Sequence, residues 1–214
     1  MIIAIDGPAG AGKSTVAKQL AQKLGIYYLD TGAMYRAFTL YVLDQKVDLN
    51  NLEAIKNLLT NFELSFNEDR ILVNGKDVTR EIRSERVTEN VSYISSLDFV
   101  RKKMVALQRE IGKNKSIVAE GRDIGTVVFP DTKYKFYLDA SIEERAKRRL
   151  LDEKNTSKSD FKTLVEKIRK RDLYDSTREN SPLKKAPDAI YIDTTRMNID
   201  EVVNFIINKI KEIN

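Results

Sequence analysis

Eight consecutive residues, Gly7-Pro8-Ala9-Gly10-Ala11-Gly12-Lys13-Ser14, constrain this chain more than any other feature. They follow Ile2 to Ile5, a short apolar run rich in β-branched residues that reads as a buried parallel strand. They open Lys13 to Leu24, where Val16, Leu20 and Leu24 recur at helical spacing and Gly25 stands as the C-cap candidate. Tyr27-Tyr28-Leu29 reads as the next strand. Strand, glycine-rich loop, helix and strand in that order make the opening βαβ unit of an α/β fold.

The eight residues match G-x-x-x-x-G-K-[ST] without a gap, in the context that pattern needs. Glycines let successive backbone N–H groups curl inward around an anion, and the helix N-terminus adds its partial positive charge. Lys13 supplies a point charge for the β- and γ-phosphates, and the Ser14 hydroxyl is a candidate Mg²⁺ ligand. Binding of a nucleoside triphosphate with Mg²⁺ follows. The loop alone does not separate kinases from GTPases, motor ATPases or nucleic-acid translocases.

Composition narrows the chemistry. The chain has neither Cys nor His, which excludes thiolate nucleophiles, zinc–thiolate sites and histidine general bases. Catalysis must use carboxylates, Lys, Arg, hydroxyls, backbone amides or a hard cation. A net charge of +5 suits an anionic substrate and is too small to argue for nucleic acid by itself. The first residues lack the pattern of a signal peptide and no run approaches a membrane span, so a cytoplasmic protein is the expectation. At 214 residues the chain suits one globular core with an insertion or two.

The pattern changes after about Leu43. Phe62, Leu64 and Phe66 alternate, as do Ile71 and Val73, and Asn74-Gly75 is a hairpin signal. Residues 37–92 therefore read as an insertion carrying a small antiparallel patch. Val100, Met104, Leu107 and Ile111 then mark one helical face, and strands follow at Ile117 to Ala119 and Tyr134 to Leu138. A charged helix from Ile142 to Leu151 and another from Phe161 to Thr177 flank the polar segment Asp152 to Asp160, which reads as a loop. A last strand, Ala189 to Ile192, precedes a helix striped by Ile199, Val202, Ile206, Ile210 and Ile213.

Three segments bear on what accepts the phosphoryl group. Asp30-Thr31-Gly32-Ala33-Met34-Tyr35-Arg36 brings a hydroxyl, a ring and a guanidinium to the end of a strand, where ligands of open parallel sheets bind. Glu120-Gly121-Arg122-Asp123-Ile124-Gly125 follows another strand, with glycines framing Arg-Asp. Arg171, Asp175 and Arg178 share a helical face, so one acid stands between two guanidiniums, and Arg145, Arg148 and Arg149 have similar spacing on the preceding helix. Each segment alone is also compatible with a capped helix or a solvated ion-pair surface. Six arginines around a polar loop favour a lid that closes over phosphates. A monophosphate acceptor is already ionised, so it needs no strong general base.

G-P-A-G-A-G-K-S-T, D-T-G-A-M-Y-R, G-R-D-I-G-T-V-V-F-P-D and R-D-x-x-D-x-x-R-x-x-x-P-L, in this order from Ile2 to about Thr195, resemble the bacterial cytidylate kinases. The resemblance implies the α/β core of a P-loop nucleoside monophosphate kinase with a five-stranded parallel sheet, an α+β monophosphate-binding insertion and a short helical lid. Its divisions would be core at 1–36, 93–150 and 179–214, insertion at 37–92 and lid at 151–178. It implies Mg²⁺-dependent transfer from ATP to CMP and dCMP by a monomer that engages neither nucleic acid nor membrane. Gly7, Pro8, Ala9, Gly10, Ala11, Gly12, Lys13, Ser14 and Thr15, with Arg145, Arg148 and Arg149, would serve ATP. Thr31, Tyr35, Arg36, Ser92, Arg101, Arg122, Asp123, Arg171, Asp175 and Arg178 would surround CMP, with Ser92, Arg101 and Asp123 at cytosine and Asp175 at the sugar. Lys13, Arg122, Arg171 and Arg178 would carry the catalysis. Glu120 stands where the family commonly has Asp, and Ser14 where some members have Gly. Other small acceptors on the same core, AMP, UMP or shikimate, and a nucleic-acid-dependent ATPase are the alternative readings. Against the last, no interleaved aromatic stacking motif accompanies the basic residues.

Overall fold

In chain order the elements are β1 (Ile2–Asp6), α1 (Lys13–Leu24), β2 (Tyr27–Asp30), α2 (Thr31–Asp44), α3 (Leu52–Thr60), β3 (Leu64–Asn67), β4 (Arg70–Val73) and β5 (Lys76–Asp77). There follow α4 (Glu85–Ser96), α5 (Asp98–Asn114), β6 (Ile117–Gly121), β7 (Tyr134–Asp139), α6 (Ile142–Glu153), α7 (Phe161–Thr177), β8 (Ile190–Asp193) and α8 (Ile199–Ile213). The structure, a computed structural model, describes residues 1–67, 70–153 and 160–213, without the side chains of residues 152 and 153. Most of the loop expected at 152–160 lies outside the described residues. Of its ends, residues 152 and 153 close α6, and the Asp160 carboxylate caps α7 by accepting from Thr163 N.

Two compact units divide the chain, one made of residues 1–30 and 109–214, the other of 31–108. In the first, five strands form a sheet in the order β2-β6-β1-β7-β8, with all pairings parallel. β1 is the middle strand, and alternation decides which residues face where. Ile3, Ile5, Val118, Phe136, Leu138 and Ile192 pack with Val16, Leu20, Val202 and Ile206, so α1 and α8 cover one face. The opposite face carries Asp6, Lys135, Tyr137 and Tyr191, the two tyrosine rings stacked 6.2 Å apart. Phe136 is 1% exposed at the centre of the apolar face. Phe136→Ala is expected to cost about 3–5 kcal/mol in urea or guanidinium unfolding, the cost of lost burial plus a cavity.

The carboxyl edge of this sheet is acidic. Asp6, Asp30, Asp139 and Asp193 end their strands, and Glu120 is next to last in β6. Just beyond β6, Ile124–Val128 forms a π-helical turn, where the sequence suggested only a glycine-framed loop. The helices α6 and α7 pack on each other around a small separate cluster of Ala146, Leu164 and Ile168, with Ile142, Leu150 and Val165 at its margin.

In the second unit α2 is the axis. It packs against α4, α3, β4 and a short 3₁₀ turn at Glu81–Arg83. Phe38 of α2 meets Phe62 edge to face, with centroids 5.0 Å apart. The hairpin expected at Asn74-Gly75 joins β4 to β5, and both residues have positive φ, 48° and 79°, as a type I′ turn demands. α3 and α4 were not read from the sequence. The buried stripe of α5 also differs from the expected one: Val100 and Met104 are buried, but Arg101 and Gln108 take the places that Leu107 and Ile111 were expected to fill.

Candidate active site

The phosphate loop fixes its own shape through two glycines. Gly7 has φ +148°, and a Cβ there would lie 1.9 Å from the Leu138 carbonyl oxygen of the neighbouring strand. Gly10 has φ +79°, and its Cβ would crowd Arg145 Cβ at 3.0 Å. Any side chain at Gly7 would push the loop off β7, so its curl depends on glycine there.

Lys13 begins α1 at 5% exposure and donates from Nζ to Pro8 O at 2.7 Å. Burial, then the charges of Arg122 and Arg171, lower its pKa to about 7 against the pull of Glu120 and Asp6. These three cations thus converge on one region. Arg122, directly after β6, donates from Nε to Asp175 Oδ2 at 3.0 Å, and Arg171 Nε lies 3.9 Å from the same oxygen. Burial opposes the charge of Arg122, but Asp175, Glu120 and Asp172 outweigh it and raise its pKa. Burial and Arg122 lower Arg171 to about 10. Asp175 is 2% exposed and is the acid between two guanidiniums, as the helical spacing suggested. The second guanidinium is Arg122, however. α7 ends at Thr177, so Arg178 is its C-cap and donates to Ser181 O at 2.7 Å instead of continuing the helical face.

Ser14 Oγ donates to Glu120 Oε1 at 2.6 Å, and Tyr28 donates to the same oxygen at 3.3 Å. Burial and the charge of Asp30 raise the Glu120 pKa, against Lys13, the Ser14 bond and Arg122. Arg145 and Arg148 of α6 are engaged with protein groups. Arg145, 8% exposed, donates to Ala140 O and Ala9 O, both at 3.0 Å, and pairs with Asp172. Arg148 donates to Glu144 at 3.0 Å and to the Thr194 hydroxyl and carbonyl at 3.0 and 2.7 Å. Arg149 is half-buried, and its charge acts on Arg171.

The second unit gathers its own expected residues around α2. Thr31 and Tyr35 are buried in the first turns of α2, and the Arg101 guanidinium of α5 stands 5.2 Å from the Tyr35 ring centre. Arg101 also donates to Ser95 O at 3.0 Å. Arg36 donates to Ile82 O at 3.2 Å and Thr88 Oγ1 at 3.0 Å. Ser92, half-buried on α4, accepts at its carbonyl from Ser95 Oγ at 3.1 Å.

A family model described as cytidylate kinase matches residues 3–212. The chain belongs to the cytidylate kinase family. The cytidylate kinase of Fusobacterium nucleatum is 46% identical over 215 residues, covering 100% of this chain and 98% of the relative. That of Shouchella clausii is 51% identical over 215 residues, covering 98% and 96%. Among solved structures, an uncharacterized protein from Eubacterium ventriosum matches with a TM-score of 0.54 at 18% identity, covering 99% of this chain and 98% of its own, which speaks for the fold alone.

Two carboxylates of the first unit escaped the sequence reading. Asp172 accepts from Ala9 N at 3.2 Å and pairs with Arg145, tying α7 to the phosphate loop. Asp6 accepts from Ile124 N and Gly125 N, both at 2.8 Å. Only adjacency to the motifs could have flagged them, since their partners lie 163 and 118 or 119 residues away in sequence.

Proposed function

We propose that this chain transfers the γ-phosphoryl group of ATP to CMP and dCMP, giving CDP and dCDP. The convergence of Lys13, Arg122 and Arg171 in one partly buried region carries the reading. Such clustering of cations is costly without anions, and phosphates would relieve it. Membership of the cytidylate kinase family supports the acceptor. The phosphate loop from Gly7 to Thr15 cradles the donor phosphates by backbone N–H groups, with Lys13 at the β- and γ-positions. Arg122, Arg171 and Arg178 neutralise charge on the migrating group. Asp175 orients Arg122 and Arg171 and is proposed for the sugar hydroxyls, and Asp123 for the base. Thr31, Tyr35, Arg36, Ser92 and Arg101 are the proposed CMP ligands of the second unit, within the monophosphate-binding segment and its flanks. Arg145, Arg148 and Arg149 are proposed for ATP, and the hydrogen bonds of Arg145 and Arg148 also favour holding α6 against the phosphate loop and Thr194.

The Ser14 hydroxyl and the Glu120 carboxylate are hard oxygen donors 2.6 Å apart, a pairing that suits Mg²⁺ more than a soft metal. When bound, Mg²⁺ supplies charge neutralisation at the β- and γ-phosphates. Ser14 and Glu120 would hold it, the latter through water or directly. Segment 151–178 is proposed as the lid, excluding water from the transferring group. A monomer in the cytoplasm, without nucleic acid or membrane, completes the reading. No described helix is long and apolar enough to cross a membrane.

Coupled ADP release over a panel of CMP, dCMP, UMP, AMP and shikimate with Mg²⁺–ATP tests the acceptor. CMP and dCMP should lead; brisk turnover with AMP or shikimate and none with either cytidylate would sink the reading. Arg178→Ala is expected to lower kcat by about 10³-fold or more while KM for ATP changes little, as for an arginine acting on transition-state charge. Wild-type kcat would make Arg178 a helix cap and nothing else.

A further inference from the structure

The π-helical turn Ile124–Val128 begins directly after Arg122-Asp123, and its first N–H groups need acceptors. An aspartate preceding such a turn is the usual source of one. Asp123 makes no side-chain cap bond here. The acceptors come instead from Asp6, on a different strand. One Asp6 oxygen takes Ile124 N and the other takes Gly125 N, each at 2.8 Å, with Asp6 itself 5% exposed. Asp6 is the residue before Gly7, so one carboxylate ties the start of the donor loop to the turn that follows Arg122 and Asp123.

We propose that Asp6 is a positioning residue that caps this turn from outside and sets the register of Arg122 and Asp123 against the phosphate loop. Because the cap comes from β1, the Asp123 carboxylate is not spent on it. The carboxylate geometry suits this: two acceptor oxygens meet two parallel N–H groups, where an amide would present one acceptor and one donor. Direct in-line transfer depends on alignment of donor and acceptor, and a displacement of about 1 Å can cost about 10²-fold in rate. The cost of burying Asp6 is visible. Burial raises its pKa to about 7 despite both N–H bonds, with the charge of Asp123 adding to the rise and that of Lys13 opposing it.

The inference rests on the phosphotransfer reading above, so the wild-type protein is assayed first with CMP and Mg²⁺–ATP; failure there is failure of that reading. Asp6→Asn keeps the size and loses one acceptor. Its kcat is expected to fall about 10²-fold, with KM for ATP within about threefold and the thermal shift produced by Mg²⁺–ATP retained. Gly125→Ala leaves the carboxylate in place and presses on the turn it caps, since the added methyl would stand 3.2 and 3.3 Å from Lys135 Cδ and Cγ and in ordinary contact, 3.4 Å, with Asp6 Oδ2. It is expected to lose about tenfold in kcat with KM for ATP unchanged, and it decides the matter should Asp6→Asn fail to fold. Lower thermal stability with wild-type kcat per folded molecule would overturn the proposal, because it describes a cap that only stabilises. A raised KM for ATP at unchanged kcat would overturn it equally.

Discussion

Lys13→Met is expected to raise the melting temperature of the ligand-free protein while lowering kcat by about 10³-fold or more. The two effects have one origin. Lys13 is nearly buried among Arg122 and Arg171, and its pKa stands at about 7 against an ordinary 10.5. A folded-state pKa below the unfolded one means that stability is full above about 10.5 and falls as pH drops toward 7. At neutral pH the ammonium therefore burdens the ligand-free fold. Methionine keeps the length and removes the charge. Glu120 and Asp6 lose a compensating cation, which returns part of the gain, so a net of about 1–2 kcal/mol is expected, or about 2–8 °C for a chain of this size. The gain should be largest at pH 7 and below and shrink toward pH 10. Mg²⁺–ATP should stabilise the wild type and leave Lys13→Met nearly unmoved. Differential scanning fluorimetry over pH, with and without Mg²⁺–ATP, reads all of this. A ligand-free variant less stable than wild type at pH 7 would show that Lys13 is already compensated by its neighbours.

Asp175→Asn is expected to act in the opposite sense on stability. Its carboxylate accepts from Arg122 Nε at 3.0 Å and forms an ion pair with Arg171 Nε at 3.9 Å, and the side chain is 3% exposed. Neutralising it leaves two guanidiniums beside Lys13 without their shared counter-charge. Removal of one partner from a buried pair typically costs about 3 kcal/mol or more, here about 6–12 °C. Phosphate should recover much of that loss, since an anion supplies the missing charge. Turnover should not recover, because Arg122 and Arg171 lose the group that orients them; kcat/KM for CMP is expected to fall about 10²–10³-fold. An unchanged kcat/KM would remove Asp175 from the acceptor machinery and leave it a structural ion pair. The double variant with Arg122→Leu should lose less than the sum of the two singles, since the interaction is shared.

What the sequence made legible was local. The phosphate loop, α1, α7 and the Asn74-Gly75 hairpin are written in contiguous residues, through glycine at positive φ, helical spacing and β alternation. The five-stranded parallel sheet came from the resemblance, and the pairing of β1 with β6 and β7 bears it out. On α5 apolar periodicity misled, because Arg101 is buried through its contact with Tyr35 and its bond to Ser95 O, which no hydrophobic pattern encodes. The π-helical turn was missed because G-T-V-V has the look of a strand or loop, and its acceptors lie on β1. Spacing on α7 correctly placed Asp175 near Arg171, but the helical face it drew through Arg178 runs past the helix end expected at Thr177, and Arg178, with φ and ψ of −62° and 142°, is extended. The partnership of Asp175 with Arg122 joins residues 53 apart and depends on the fold.

The central claim is direct transfer from ATP to a cytidylate. Incubation of the purified chain with Mg²⁺ and ATP labelled at the γ-phosphorus, with CMP as acceptor, tests it in one chromatogram. Label should appear in CDP in step with ADP formation, with inorganic phosphate near background. Label confined to inorganic phosphate, or ADP formation indifferent to CMP and dCMP, would contradict it.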